Sequence, residues 1–207
     1  LRAVLFDFGG VILTSPFEAF AAYEERAGLQ PGAIREINSN NPDSNAWARL
    51  ERSEVGIEEF GVLFESEAAA LGHHVSSEEV LGCLVGQVRP EMVTAIEHLR
   101  DDFAVALLTN NFVSGTPQWS RGGAFPELVD LFDVVIESSA IGCRKPEQRF
   151  YETALERLGV AAHEAVFLDD LGVNLKPAAA MGMRTIKVID PVIALEELES
   201  IVGIPLG

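Results

Sequence analysis

The run Ala3-Val4-Leu5-Phe6-Asp7-Phe8-Gly9-Gly10-Val11 decides how the rest of the chain is read. Apart from Arg2, residues 1–6 are apolar and rich in β-formers, and they stop at an acid that two glycines soon follow. That pattern predicts a buried strand with a loop at its carboxyl end. Glycine beyond the acid lets backbone and ligand approach closely. Taken alone, an Asp at a strand end is a common turn residue. Its meaning therefore depends on what the other strands bring beside it.

Outward from this strand the chain changes character twice. Residues 14–88 are rich in Ala, Glu and Gly, with helical periodicity around 17–26, 46–53, 57–70 and 77–84. A polar breaker, Asn38-Ser39-Asn40-Asn41-Pro42-Asp43, divides them. From Pro90 onward strands and helices alternate. A helix over 91–100 opens behind Pro90, and strands are predicted at 103–108 and 132–136. The connection between those strands is looser and holds Pro117, Gly122, Gly123 and Pro126. A helix over 147–158 stops near Gly159. A strand over 165–168, a helix over 174–181, a strand over 184–189 and a helix over 191–201 complete the chain. Short apolar strands alternating with helices imply a parallel sheet covered on both faces. The expected class is α/β: a Rossmann-like, doubly wound parallel sheet, residues 1–13 and 89–207, with a small α-helical insertion at 14–88.

In such sheets ligands bind beyond the carboxyl ends of the strands, at the switch point. Four groups fall there. Asp7 follows the first strand. Thr109-Asn110-Asn111 follows the second, where a hydroxyl, an amide and backbone N–H groups suit phosphate oxygens. Asp169-Asp170 follows the fourth. Lys145 stands before Pro146, beside the positive end of the next helix. Each has an ordinary reading of its own: a turn, a helix N-cap, a solvated lysine. Together they are chemically coherent. Two carboxylates near Asp7 repel unless a cation joins them. Mg²⁺ prefers oxygen ligands and keeps several waters. A carboxylate attacks a phosphoryl or carbon centre when the charge is managed, and Lys145 balances it.

The bulk properties narrow the partners. The chain has 207 residues, is 48% hydrophobic and carries a net charge of -17. Its mean hydropathy is +0.19, ample for a buried core. The acidity disfavours nucleic acid, whose backbone needs a basic patch, and an anionic membrane surface. A phosphorylated small molecule remains compatible if positive charge is supplied locally. Cys83 and Cys143 lie far apart and show neither a disulfide framework nor zinc spacing, which fits a reducing, cytoplasmic setting. Apolar stretches are too short for a transmembrane helix. The chain opens at Leu1 into a strand-like run with no signal-peptide layout. The absence of an initiator Met is expected of a sequence that starts slightly late. His73, His74, His98 and His163 show no metal spacing. The sequence carries no signal of oligomeric state.

The motifs Leu5-Phe6-Asp7-Phe8-Gly9-Gly10-Val11, Leu108-Thr109-Asn110-Asn111, Arg144-Lys145-Pro146 and Phe167-Leu168-Asp169-Asp170-Leu171-Gly172-Val173-Asn174 resemble those of the haloacid dehalogenase superfamily over nearly the whole chain. Val135-Ile136-Glu137-Ser138 and the tail from 145 to 203 look like the N-terminal phosphatase domain of soluble epoxide hydrolases, and like that of certain acyl-CoA dehydrogenase fusion proteins. The resemblance implies a central first strand, with the second and third strands on one side and the fourth and fifth on the other. It implies that residues 14–88 form a helical cap over the site. It implies a phosphohydrolase in which Asp7 is the nucleophile and forms an aspartyl-phosphate. Mg²⁺ would be held by Asp7, the Gly9 carbonyl and Asp170, with Asp169 acting through water. Thr109 and Asn110 would bind phosphoryl oxygens, and Lys145 would neutralise charge. Asn174 would orient the metal-side carboxylates or the substrate.

One position departs from the family pattern. Typical phosphatases of the superfamily carry a second Asp two residues after the nucleophile, as general acid, where this chain has Gly9. General acid–base help is worth roughly 10²–10⁴-fold. Three readings stay open: a substrate with a good leaving group, such as an acyl phosphate or sugar-1-phosphate; a proton supplied by the cap, with Glu18, Glu24 and Glu51 as candidates; or slow turnover in a domain that binds Mg²⁺ and phosphate. Carbon–halogen hydrolysis by Asp7 is a further alternative, against which the acidic pair argues for metal. In the insertion, Arg49 and Arg52 share a helix face that is either solvated or meets an anionic substrate tail. Trp47 and Phe60 are expected in the core of the insertion.

Overall fold

Ala3–Phe6 (β1) is a strand in which every side chain is fully buried. The computed structural model describes residues 1–113 and 126–207; Pro117, Gly122 and Gly123 lie outside them. The other strands are Ala104–Thr109 (β2), Val134–Glu137 (β3), Ala165–Asp169 (β4) and Arg184–Lys187 (β5). They form one sheet in the order β3-β2-β1-β4-β5, parallel throughout. This is the order the resemblance implied. β1 is central, and Ala3 pairs with Ala104 on one side and Ala165 on the other.

Two-residue alternation sorts the strand side chains into two layers. Val4, Phe6, Val105, Leu107, Val166 and Leu168 face Pro90–Leu99 (α6) and Pro191–Val202 (α11). Ala3, Leu5, Ala106, Leu108, Ala165 and Phe167 face Gln148–Leu158 (α9) and Gly172–Ala180 (α10). Both faces are covered, so the strands are apolar on successive residues. Sequence punctuation holds at several ends. Pro90 opens α6, where its missing N–H costs nothing. Gly159 ends α9 in the left-handed conformation, with φ 65°. β3 starts two residues later than the sequence suggests. Phe132 packs edge-on against Phe6 instead, and Asp133 binds the β2 backbone through its own N–H to Val105 O and its Oδ2 from Val105 N.

Between β1 and α6 lie five helices: Phe17–Ala27 (α1), Ala33–Ser39 (α2), Ala46–Glu51 (α3), Ile57–Ala70 (α4) and Ser77–Gly82 (α5). They bury their own apolar cluster, in which Trp47 lies 4.8 Å from Phe60 and Phe60 stacks on Phe64 at 5.3 Å. α2 is not evident in the sequence, because the polar breaker begins inside it. Buried Glu24 supplies its start, accepting from Gly32 N at 2.7 Å and Ile34 N at 2.9 Å. Two short helices, Pro126–Val129 (α7) and Ser138–Ile141 (α8), flank β3. No helix of the described residues is long and apolar enough to cross a membrane.

Candidate active site

Asp7 is still held by the sheet where β1 ends, its N–H donating to Leu168 O at 2.9 Å. Its side chain therefore stands at a fixed place on the carboxyl edge, 8% exposed. Its Oδ1 accepts from Phe8 N at 2.6 Å and from Lys145 Nζ at 2.7 Å. The chain then leaves through a wide turn, Phe8–Ile12, whose carbonyls at Gly10 and Val11 accept from Arg89 Nη1 at 2.9 and 3.4 Å. Gly10 has φ +80°, and a Cβ there would lie 2.2 Å from Asp170 Oδ2. Conformation and space both demand glycine at that position. Gly9 is different: its φ is -71° and nothing lies within 4 Å of where a Cβ would stand.

β4 delivers the second and third acids. Asp169 is fully buried. Its Oδ1 accepts from Leu171 N at 2.8 Å and Asn174 Nδ2 at 3.0 Å; its Oδ2 accepts from Lys145 Nζ at 2.8 Å and Asn174 Nδ2 at 3.0 Å. Asp170, half-buried, accepts weakly from Ser15 Oγ at 3.4 Å. Lys145, 1% exposed, thus bridges Asp7 and Asp169. Its backbone is clipped by the tip of β2: Lys145 N donates to Asn110 Oδ1 at 2.8 Å, and Asn110 Nδ2 donates to Lys145 O at 3.0 Å. The Lys145–Pro146 peptide is cis.

The electrostatics follow from three carboxylates around one ammonium. Burial pushes Asp7 well above its ordinary value; Lys145 opposes this, while Asp169 and Asp170 add to it. Burial, reinforced by Asp169, pushes Asp170 up to about 6. Burial alone would lower Lys145, but Asp169 and Asp7 outweigh it and hold the ammonium above its usual range. Asp7, Asp169 and Asp170 each present an oxygen within 4.8 Å of the others. Clustered hard oxygen donors in excess of the local positive charge fit Mg²⁺.

A family model described as a haloacid dehalogenase-like hydrolase matches residues 1–182. The chain belongs to the haloacid dehalogenase-like hydrolases. It is 40% identical to acyl-CoA dehydrogenase family member 10 of Mus musculus, over 99% of this chain and 19% of that protein. It is 31% identical to bifunctional epoxide hydrolase 2 of Sus scrofa, over 100% of this chain and 40% of that one. The chain therefore spans well under half the length of these relatives. A relative of similar length is the sesquiterpene phosphatase astK of Aspergillus oryzae, 28% identical over 98% of this chain and 97% of its own. Among solved structures, a haloacid dehalogenase-family enzyme of Bacteroides thetaiotaomicron in complex with magnesium and inorganic phosphate superposes with a TM-score of 0.59. It is 20% identical and covers 90% of this chain and 93% of its own. The likeness to epoxide hydrolases and acyl-CoA dehydrogenase fusions, read from the motifs, holds over the whole length.

Within this haloacid dehalogenase-like hydrolase, Asp7, Lys145, Asp169, Asp170 and Asn174 come together. Thr109 ends β2 on the same sheet edge, half-buried. Asn110 and Asn174 do not present free amides to a substrate. Asn110 grips the Lys145 backbone, and Asn174, 5% exposed, holds Asp169. Of the three cap acids named from sequence, Glu18 is exposed on α1 and Glu24 is consumed at the start of α2. Glu51 alone of these reaches the sheet edge, accepting from Asn110 Nδ2 at 3.2 Å. Burial pushes the Glu51 carboxyl up against the opposing pull of Arg144. Arg89, Ser15 and the pairing of Asn111 with Ser138 were not legible in the sequence. Asn111 N donates to Ser138 Oγ at 2.9 Å, and Ser138 Oγ donates to Asn111 O at 3.0 Å. Their signal is tertiary, apart from Arg89 immediately preceding the helix-opening Pro90.

Proposed function

We propose that this chain is a Mg²⁺-dependent phosphohydrolase of small phosphorylated metabolites, working through an aspartyl-phosphate on Asp7. The observation that carries the reading is the cluster of Asp7, Asp169 and Asp170 on one sheet edge, two of which, Asp7 and Asp169, are bound to the buried ammonium of Lys145. That a phosphatase of similar length is among its relatives supports it. Residues 1–13 and 89–207 act as the core, and the helical insertion at 14–88 acts as a cap over the site.

Asp7 attacks phosphorus as the bond to the leaving oxygen breaks, and the leaving group departs as an alkoxide or carboxylate. Water then attacks the phosphorus of the aspartyl-phosphate, which releases inorganic phosphate and returns Asp7 as a carboxylate. Asp7, the Gly9 carbonyl and Asp170 would hold Mg²⁺. Asp169, whose oxygens are occupied by Lys145, Asn174 and the Leu171 N–H, assists from one shell further out. When bound, Mg²⁺ supplies charge neutralisation for the phosphoryl group and its nucleophile. Lys145 holds Asp7 in place and offsets the developing charge. Thr109 and the backbone beside Asn110 receive the phosphoryl oxygens. Asn174 acts through Asp169. Gly9 offers no proton to the leaving group, which favours substrates whose leaving oxygen is already stable, acyl phosphates above alkyl monoesters. Two free cysteines, Cys83 and Cys143, fit a cytoplasmic setting.

The test is phosphate release from acetyl phosphate and p-nitrophenyl phosphate, with and without Mg²⁺, in wild type and Asp7→Asn. Mg²⁺-dependent release that disappears in Asp7→Asn is expected, stronger on acetyl phosphate. Equal, background release in both proteins would sink the reading in favour of a Mg²⁺- and phosphate-binding module or of dehalogenation. Chloride release from haloacids separates those two.

A further inference from the structure

A partly buried ion pair is among the contacts that join the insertion to the catalytic edge. Glu51, near the end of α3, pairs with Arg144, and the two side chains are 16% and 17% exposed. The Glu51 oxygen that meets Arg144 Nε, Oε2, also accepts from Asn110 Nδ2. Asn110 in turn holds both the N–H and the carbonyl of Lys145. A single oxygen on the insertion thus joins the side chain before Lys145 to the clip on its backbone. The surrounding contacts run the same way. Arg144 Nη1 donates to Pro42 O at 3.1 Å, Arg52 pairs with Glu147 at 3.3 Å, and Ser53 Oγ donates to Ser139 O at 3.1 Å. Segment 42–53 grips segment 139–147, and Lys145 lies inside the grip.

We infer that Glu51 is a positioning residue: it fixes the Arg144–Lys145 loop so that the Lys145 ammonium sits on Asp7 when the insertion is docked. The inference rests on the phosphatase reading for its catalytic consequence. A buried ion pair is weak evidence for stability, because desolvation offsets much of the attraction. Geometry gives this one another use. Without the Glu51 carboxylate, Arg144 is left partly buried with the Pro42 carbonyl, and Asn110 Nδ2 keeps one partner of two. The loop then loses the tie that joins Arg144 to the Asn110 clip, while Nζ keeps its anchor on Asp169. Lys145 would drift by a fraction of an ångström to an ångström, which is enough to matter where alignment limits the rate. Oε2 is committed to its two donors, so Glu51 serves as an anchor and not as the leaving-group acid.

The experiment uses the full chain in four variants beside wild type: Glu51→Ala, Glu51→Gln, Asn110→Ala and the double variant Glu51→Ala/Asn110→Ala. Two readouts are taken. Kinetics with acetyl phosphate at saturating Mg²⁺ should show kcat lowered about 10- to 100-fold in Glu51→Ala, with KM within about twofold. The double variant should be no worse than Asn110→Ala alone, since both residues act along one path. Glu51→Gln, which keeps an acceptor for Asn110 and loses the charge, should fall between. Hydrogen exchange of the Lys145 amide should quicken about tenfold or more in Glu51→Ala and less in Glu51→Gln. Unchanged exchange, unchanged kcat, a loss confined to KM, or multiplying losses in the double variant would each overturn the inference. If wild type releases no phosphate, the phosphatase reading fails, and the exchange measurement still decides whether Glu51 positions the loop.

Discussion

At Lys145 two carboxylates, Asp7 and Asp169, share one buried ammonium, with Asp170 close by. Lys145→Met keeps the bulk of the stem and removes the charge, leaving Asp7 and Asp169 facing each other. Breaking such a buried group by deleting one partner costs about 3–5 kcal/mol. We expect that loss in urea unfolding at pH 7.5 in EDTA, and turnover abolished when it is assayed with Mg²⁺. The loss should shrink toward pH 5 as Asp7, already raised by burial, takes up a proton. Gly9 carries the opposite prediction. Its φ is ordinary and its side-chain direction is open, so Gly9→Asp installs a carboxyl without strain. Turnover of p-nitrophenyl phosphate should rise about 10- to 100-fold relative to acetyl phosphate, at or below the lower end of the range for general acid help, because p-nitrophenolate leaves well with little protonation. An unchanged ratio would show that the leaving oxygen does not pass near position 9. Gly10→Ala should lower turnover, because an L side chain is strained at φ +80° and its Cβ would displace the Asp170 carboxylate.

Elements explain which parts of this site could be read in advance. Strands buried on both faces announce themselves as apolar runs, and the residue after each run falls on the carboxyl edge by topology alone. Asp7, Asn110 and Asp169 were legible for that reason. The partners that hold them were not. Glu51 looks like any acid near the end of a helix, and Glu18 and Glu24 look the same; only docking of α3 against segment 139–147 distinguishes it. Asn110 was read as a phosphate ligand, since its side-chain clip on Lys145 spans 35 residues. α2 is hidden because the polar breaker begins inside it and its start is fixed by the Glu24 carboxylate on α1. Asn45 illustrates the same economy: it caps α3 through Ala48 N at 3.0 Å while its amide donates to Asn38 O and Asn40 O, each at 3.0 Å. It is 4% exposed. Asn45→Ala removes a cap and the two hydrogen bonds to the Asn38 and Asn40 carbonyls, so about 1–2 kcal/mol should be lost. Chemical denaturation should report that loss, together with faster exchange across α3.

For the molecule as a whole, charge and metal set the dependence on pH. Asp170 titrates near 6 in the folded chain against an ordinary 3.8. The native state therefore binds this proton more tightly than the unfolded state. Its contribution to stability is present below about 4 and is lost as pH rises through 6. In EDTA, Tm should fall more steeply between pH 5 and 7 in wild type than in Asp170→Asn. Added Mg²⁺ should raise the wild-type Tm more at pH 7.5 than at pH 5, because binding needs the ionised carboxylate. A shift in Tm independent of pH, or equal in Asp170→Asn, would remove Asp170 from the metal site. The placement of β1 has a consequence in time. Ala3 must wait for Ala165, its partner 162 residues later. At roughly 5–20 residues per second of synthesis, that is roughly 8–32 s. Throughout that interval a strand with no polar side chain hangs from the ribosome with one edge unpaired, so the growing chain should lean on chaperones and no truncated product should show activity.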